Sequence, residues 1–446
     1  MVDHQAVETA FSANGTEPEA PKHSPDDDDL AVELAEKWNQ KVRRIFQEWR
    51  VYQGGYWAKR DVNQVQQQVK EHLRTKRGNG VRISAGRVNS VTRLLESECH
   101  VSDDEIARQT PQQTHYINLQ NGLFNITTFQ LEAHRPDLYF IEQLPFAYDK
   151  NATAPTFKRF LETSLVHPNT TNPDHDLIIL AAEAIGYTLT ARTDLKVAFW
   201  VPGPGDSGKS TLLNLIARLA GSLHTAIDLH ELGERFGLAP IIGKRVATCT
   251  EAQSNVYIRH DRFKALTGGG DYVVVDQKNK APLTIIPTVK LWFAFNDAPG
   301  TNDRSDAYFK RLRVIPFNRS IPEKERIPDL LERMTQELPG IFNIVMGAYR
   351  RLVKDGAFIR CSQSDAWIQD YKLKYDHEAT FLLEQCVRDP EGIVSSTELY
   401  QAYRSYMTDN GMNPKSGKVV ATDWKRLGLD WLHRNTGSYW KGVRMK

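Results

Sequence analysis

Long apolar runs are missing from this 446-residue chain, so no stretch supplies the ~20 consecutive apolar residues that a membrane-spanning helix needs. Met1 to Gly15 lacks the basic flank and apolar segment of a secretory signal, and the expectation is a cytoplasmic protein with no membrane partner. Cysteine is scarce: Cys99, Cys249, Cys361 and Cys386 stand far apart and in no Cys-x-x-Cys spacing. That argues against a disulfide framework or a zinc ribbon and predicts free, mostly buried thiols. The net charge is only +2, yet it averages an acidic run at Asp26–Asp29 with a basic C-terminal region. No internal repeat is present. With 40% hydrophobic and 25% charged residues, the composition is that of a globular protein of two to four domains.

What is present is organised around Gly203-Pro-Gly-Asp-Ser-Gly-Lys-Ser210, which fits Gly-x4-Gly-Lys-[Ser/Thr] and is followed by Thr211. An apolar run, Val197 to Val201, precedes it, and Leu212, Leu213, Leu215 and Ile216 follow at helical spacing. The pattern predicts a strand, a phosphate-cradling loop and a helix. Gly203, Gly205 and Gly208 let backbone N–H groups, with those of Asp206 and Ser207, curl around an anion, and the helix N-terminus points its positive end at the same place. Lys209 brings a full positive charge to the outer phosphates, and the Ser210 hydroxyl is suited to ligate Mg2+. ATP with magnesium is the expected cofactor pair.

Hydrolysis needs a carboxylate for magnesium and water, a polar group to orient that water, and a cation against the developing charge. Gly243 to Glu251 reads as a strand ending in an acid, and Val289 to Asn296 as a strand ending in an amide. Glu251 is therefore the candidate magnesium and water carboxylate, and Asn296 the candidate water-orienting group. Lys310, Arg311 and Arg313 follow as candidate cations, of a kind that reaches a neighbouring subunit's phosphate. Between the acid and the amide, Tyr272 to Ile286 reads as a hairpin whose tip carries Lys278 and Lys280. A surface turn accounts for those lysines, and so does a lever that pulls on a charged polymer.

Residues 1–29 read as a disordered acidic tail. Residues 30–150 read as a small α+β domain, with a helical pattern from Leu30 through Phe46, a Gly54-Gly55 hairpin, helices at Val62–Leu73 and Val88–Leu95, a capping box at Ser102-Asp-Asp-Glu105, and short strands from His115 to Tyr148. Residues 151–320 hold the nucleotide-binding core and 321–375 a helical segment. Residues 376–446 read as three helices and a wing, in which Lys415, Lys418, Lys425, Arg426, Arg434, Lys441, Arg444 and Lys446 interleave with Trp424, Trp431, Tyr439 and Trp440. That mixture suits nucleic-acid backbone binding, or a solvated basic face over a tryptophan core.

Taken together, Asn118 to Leu123, Gly203 to Thr211, Phe236 to Val246 with Glu251, Lys264 to Asp271, Trp292 to Asn296, Arg311 to Phe317, Glu398 to Arg404 and Trp440 to Arg444 resemble the C-terminal helicase module of phage- and plasmid-encoded primase-helicases. This module is similar to the poxvirus primase-helicase and belongs with the superfamily III helicases. The resemblance implies an α/β, AAA+ type P-loop core with an α+β N-terminal domain and a C-terminal winged helix. It implies a homo-oligomeric ring, a hexamer, travelling on single-stranded and forked DNA inside a host cell to replicate a phage, prophage or satellite element. It makes Lys209 and Ser210 the nucleotide and magnesium ligands, Glu251 the catalytic acid, Asn296 the γ-phosphate sensor, Arg311 the trans-acting finger, and Lys278 or Lys280 the DNA contact. Priming activity is not expected; Asp174-His-Asp176 follows Asn172-Pro173 in a loop before a helix, where capping accounts for it. A separate primase is the partner this implies. The alternatives are an ATP-switched origin-binding or helicase-loading factor that does not unwind, and a P-loop kinase or small-molecule transferase.

Overall fold

The computed structural model describes residues 24–252, 259–279 and 282–446. Its contacts divide them into two compact units, one running to Thr110 and including Pro136–Ile141, the other made of Pro111–Arg135 and Glu142–Lys446.

The first unit begins with α1 (Asp27–Lys37), and here the tail expectation needs correcting for its last residues. Asp26 caps the helix: its carboxylate accepts from the backbone N–H groups of Asp28 and Asp29, both at 2.9 Å, while the Asp29 carboxylate accepts from Asp26 N at 3.1 Å. Three acids in a first turn suit the positive end of the helix. Residues 1–23 lie outside the described residues. A second correction follows. The helical pattern read as far as Phe46 stops at Lys37, because Asn39 and Gln40 turn left-handed, at φ 46° and 60°. Val42–Ile45 then forms β1, paired antiparallel with β2 (Glu48–Gln53), which in turn pairs with β3 (Tyr56–Lys59) across Gly54-Gly55. Three helices complete the set: α2 (Val62–Thr75), α3 (Ala85–Glu98) and α4 (Asp103–Gln113). Leu30, Leu34, Val65, Val69, Leu73, Val91 and Leu95 make the core. Only half of the expected capping box forms: Ser102 Oγ accepts from Glu105 N at 3.2 Å, while the Glu105 carboxylate takes the Tyr139 hydroxyl.

The second unit opens with an antiparallel sheet of β4 (Tyr116–Leu119), β5 (Gly122–Asn125) and β6 (Gln130–Glu132). The boundary read at residue 150 would have left this sheet with the N-terminal domain. Instead Phe124 meets Phe342 edge to face at 5.0 Å, and Ile117 and Leu119 share the core of the large unit. After α5 (Pro155–Ser164) and α6 (His175–Leu189) come β7 (Ala198–Pro202), α7 (Lys209–Ala220), β8 (His224–Ala226), β9 (Val246–Cys249), α8 (His260–Leu266), the β10–β11 hairpin (Val273–Val275 and Leu283–Ile285), β12 (Lys290–Phe295), α9 (Asp306–Phe309) and β13 (Leu312–Val314). The main sheet is parallel, in the order β13-β7-β12-β9-β8.

β7, β9 and β12 are buried along their whole length because both faces are covered. Phe199, Val201, Trp292 and Ala294 enter one core; Ala198, Trp200, Leu291, Phe293 and Phe295, their neighbours along the strands, enter the other. Asp174 caps α6 as expected, accepting from Leu177 N at 3.0 Å. The helical segment read at residues 321–375 resolves into α10 (Leu330–Gln336), α11 (Leu338–Asp355) and α12 (Ser362–Tyr375).

The C-terminal part contains α13 (His377–Gln385), β14 (Cys386–Ser395), α14 (Ser396–Asp409), α15 (Gly417–Arg426), β15 (Asp430–Arg434) and β16 (Gly437–Met445), with its sheet ordered β14-β16-β15. α13 stops at Gln385, and β14 takes over with an irregularity between Asp389 and Ile393. All four cysteines are free and buried. Among the described residues, no helix is long and apolar enough to cross a membrane.

Candidate functional site

β7 ends at Pro202, and the glycine-rich turn carries the chain directly into α7. Gly203 N donates to Phe295 O at 3.2 Å, so the loop starts level with the end of β12. Gly208 enters the helix left-handed, at φ 101°. Lys209 is buried, and its ammonium donates to Gly203 O at 2.7 Å and Pro204 O at 2.5 Å. Burial pushes its pKa below the usual lysine range, against the opposing field of Asp206. A Cβ added at Gly205 would meet nothing within 4 Å, and Gly205 and Ser210 are exposed. The open side of the loop therefore offers backbone donors and one hydroxyl, with the Lys209 ammonium held behind them on Gly203 O and Pro204 O; the set fits a polyphosphate that would draw the ammonium from those carbonyls.

Glu251 and Asn296 belong to the same rim of the sheet. Cys249 is in register with Phe293, and Phe295 with Pro202. Ala252 N donates to Ala294 O at 2.9 Å, which holds the residue after the acid beside the end of β12. Loop, amide and acid thus stand at the C-terminal ends of three adjacent strands, the edge where open α/β sheets hold ligands. Glu251 and Asn296 are both exposed. Among the described residues no cluster of three or more His, Cys, Asp or Glu side chains is arranged to hold a metal. Ser210 and Glu251 would supply the protein's share of a magnesium shell, with phosphate and water oxygens completing it.

Arg311 lies elsewhere. Its carbonyl accepts from Ala198 N at 2.8 Å, and Leu312 is in register with Ala198. That level is five residues before Gly203, about 17 Å down the strand direction from the loop. Arg311 sits at the opposite rim of its own sheet, its Nη1 donating to Ala307 O at 2.5 Å and its buried Nε without a partner among the described residues. Arg313 turns inward, donating to Lys310 O at 3.0 Å and stacking over Phe358 at 5.5 Å, and burial lowers its pKa. Lys310 is exposed. Lys278 is exposed at the tip of the β10–β11 hairpin, while Lys280 lies outside the described residues.

One contact near the loop has no sequence motif to announce it. Past Phe317 the chain turns over the glycine-rich loop: Ser320 Oγ donates to Gly205 O at 2.8 Å, Ile321 N donates to Asp206 O at 2.9 Å, and Arg326 pairs with the Asp206 carboxylate at 2.9 Å. Only the basic side chains of this segment, Arg319, Lys324 and Arg326, hint at it.

The basic C-terminal residues separate into two groups. Lys415, Arg426, Lys441 and Arg444 are matched to carboxylates. Lys418, Lys425, Arg434 and Lys446 have none among the described residues. Trp424 and Trp440 are core, 5.4 Å apart edge to face, whereas Trp431 is 48% exposed, with Lys425 above its ring at 5.9 Å.

Comparison with known proteins places two families along the chain. Residues 33–166 match the family described as D5 N terminal like, and residues 201–311 match one described as a family of unknown function, DUF5906. The chain is 23% identical over 340 residues to "Putative helicase L207/L206" of Acanthamoeba polyphaga mimivirus, covering 69% of this chain and 34% of that protein. It is 26% identical over 243 residues to "Putative helicase 184R" of Invertebrate iridescent virus 6, covering 51% and 24%. "Putative helicase V13" of Sputnik virophage is 20% identical over 290 residues, covering 59% and 36%. The chain thus spans about a third or less of these curated relatives. Among solved structures, the apo NrS-1 C-terminal region superposes with a TM-score of 0.54 at 11% identity, covering 94% of this chain and 100% of that one. The two share a fold.

Proposed function

We propose that this chain is an ATP-dependent replicative DNA helicase of a phage, virus or satellite element, working as a homo-oligomeric ring on single-stranded and forked DNA. The observation that carries the reading is the division of the sheet: loop, Glu251 and Asn296 share one rim, and Arg311 occupies the other. A triphosphate between copies of such a chain meets the loop of one protomer and the arginine of the next. The parallel order β13-β7-β12-β9-β8, the similarity to viral proteins named as helicases and the match to a D5 N terminal like region support an AAA+ type, superfamily III assignment. The order α13-β14-α14-α15-β15-β16 supports a winged-helix module for nucleic acid.

In this reading ATP with magnesium supplies the phosphoryl bond whose hydrolysis drives the cycle. Lys209 and the loop N–H groups bind the phosphates, and Ser210 and Glu251 hold the cation. Glu251 accepts the proton of the attacking water, which Asn296 orients. Lys278, on a hairpin that leads directly into β12, carries the resulting movement to the strand of DNA. Strand displacement on a forked duplex tests this: the protein should unwind it in the presence of ATP, and Lys209→Ala should lose at least about a hundredfold in rate. ATP-dependent binding with no displacement by the intact chain would overturn the motor reading.

A further inference from the structure

Between the first turns of α14 and α15 and the β15–β16 hairpin lies a cavity of about 460 Å³, within the ~300–1,000 Å³ of small-molecule sites. Its lining contains no Asp or Glu. The first turns of both helices, at Ser396 and at Gly417, open onto it, and among the described residues neither helix has a side-chain cap, so their leading N–H groups are available to an acceptor. Two lining residues carry buried polar atoms with no partner among the described residues: the indole Nε1 of Trp424, a side chain 1% exposed, and the hydroxyl of Ser396. Buried donors left unmatched are costly and point to a missing acceptor. Arg404 stands at the rim, exposed and without an ion pair among the described residues. The half-exposed indole of Trp431 forms an aromatic wall, extended by the His433 ring lying parallel to it at 5.9 Å and carrying Lys425 over it at 5.9 Å.

Donors, positive helix ends and a half-exposed indole already paired with another flat ring, with no acid among the lining residues, call for a ligand that is both anionic and planar. We infer that this cavity binds one nucleotide unit of single-stranded DNA, its phosphate received by the first turns of α14 and α15 with Arg404, and its base stacked on Trp431. A phosphorylated peptide would supply the anion but leave the indole face unused. The inference rests on reading residues 376–446 as a nucleic-acid module and names a part of it that handles an unpaired strand.

Fluorescence anisotropy with the full chain, without ATP, tests it using labelled hexathymidylate and an abasic hexamer of equal charge. The intact protein should bind hexathymidylate about tenfold more tightly than the abasic strand, the range expected for one stacked base. Trp431→Ala should erase that difference and Trp431→Phe should keep most of it. Arg404→Ala should weaken both probes several-fold, more at low salt than at high. Far-UV circular dichroism confirms that each variant is folded. Equal affinity of the intact chain for the two probes, or hexathymidylate binding unchanged in Trp431→Ala, would overturn the pocket alone, as expected if it receives a partner protein's side chain instead. No binding of either probe would overturn the pocket and the module reading together.

Discussion

Gly203 and Gly205 look alike in the motif and differ in the molecule. A Cβ on Gly203 would lie 2.4 Å from Phe317 O and 2.8 Å from Phe317 Cβ, so the residue is glycine because the end of β7 runs against the chain leaving β13. At Gly205 the same atom would meet nothing. Gly203→Ala is expected to cost about 1–3 kcal/mol of stability by forcing these segments apart, and Gly205→Ala close to nothing. Chemical denaturation measures the first effect, and nucleotide titration of Gly205→Ala isolates the loop's role in binding. An equal loss of stability in the two variants would contradict the packing account. The spacing of the motif was legible from the sequence; the reason for each glycine was not, because Phe317 is 114 positions away from Gly203 in the chain.

Among the elements, the segment between β12 and α9 is tied to the C-terminal helices by buried charge. Arg304 pairs with Glu378, which is fully buried, accepts from the Tyr403 hydroxyl at 2.8 Å and faces Lys415 at 3.3 Å. Arg426 of α15 forks onto the equally buried Asp376 with two bonds of 2.9 Å. Arg426 belonged, in the sequence, to a run of basic residues suited to DNA; the structure commits it to Asp376, and nothing local to either residue announces the pairing. Arg426→Ala strands a carboxylate away from water and should cost about 3–5 kcal/mol in urea denaturation. Combining Arg426→Met with Asp376→Asn, which keeps the cap on α13, should recover more than half of that. Additive losses would mean that the two side chains do not act as a pair. The clasp begins eight residues after Asn296 and ends on α15, so it joins the phosphate rim to the helices proposed to hold DNA. β14 has no counterpart in the three helices and a wing expected there: Pro390 and Gly392 interrupt its strand pattern, and its pairing with β16 shifts register between Asp389 and Ile393.

For the whole molecule, elements that depend on neighbours in sequence were the legible ones: the strand, loop and helix around Lys209, the ends of β9 and β12, the β10–β11 hairpin, the cap at Asp174. What the chain could not declare was the direction in which β13 joins the sheet, parallel to β7, which sends the preceding Arg311 to the far rim, or the allegiance of β4–β6, set by Phe342 more than two hundred residues later. The proposed shared site makes this geometry measurable. Arg311→Ala and Glu251→Gln chains, each inactive alone, should regain ATP turnover when mixed, because some junctions then pair an intact loop and acid with an intact arginine. A mixture no more active than its parents would rule the sharing out. Joining two unlike edges carries a further consequence for assembly. A pair of such copies always leaves one edge of each kind unsatisfied, and adding copies in a line never removes the deficit; only a rotation that returns to its start ends growth, and a small error in that angle would give an open spiral instead.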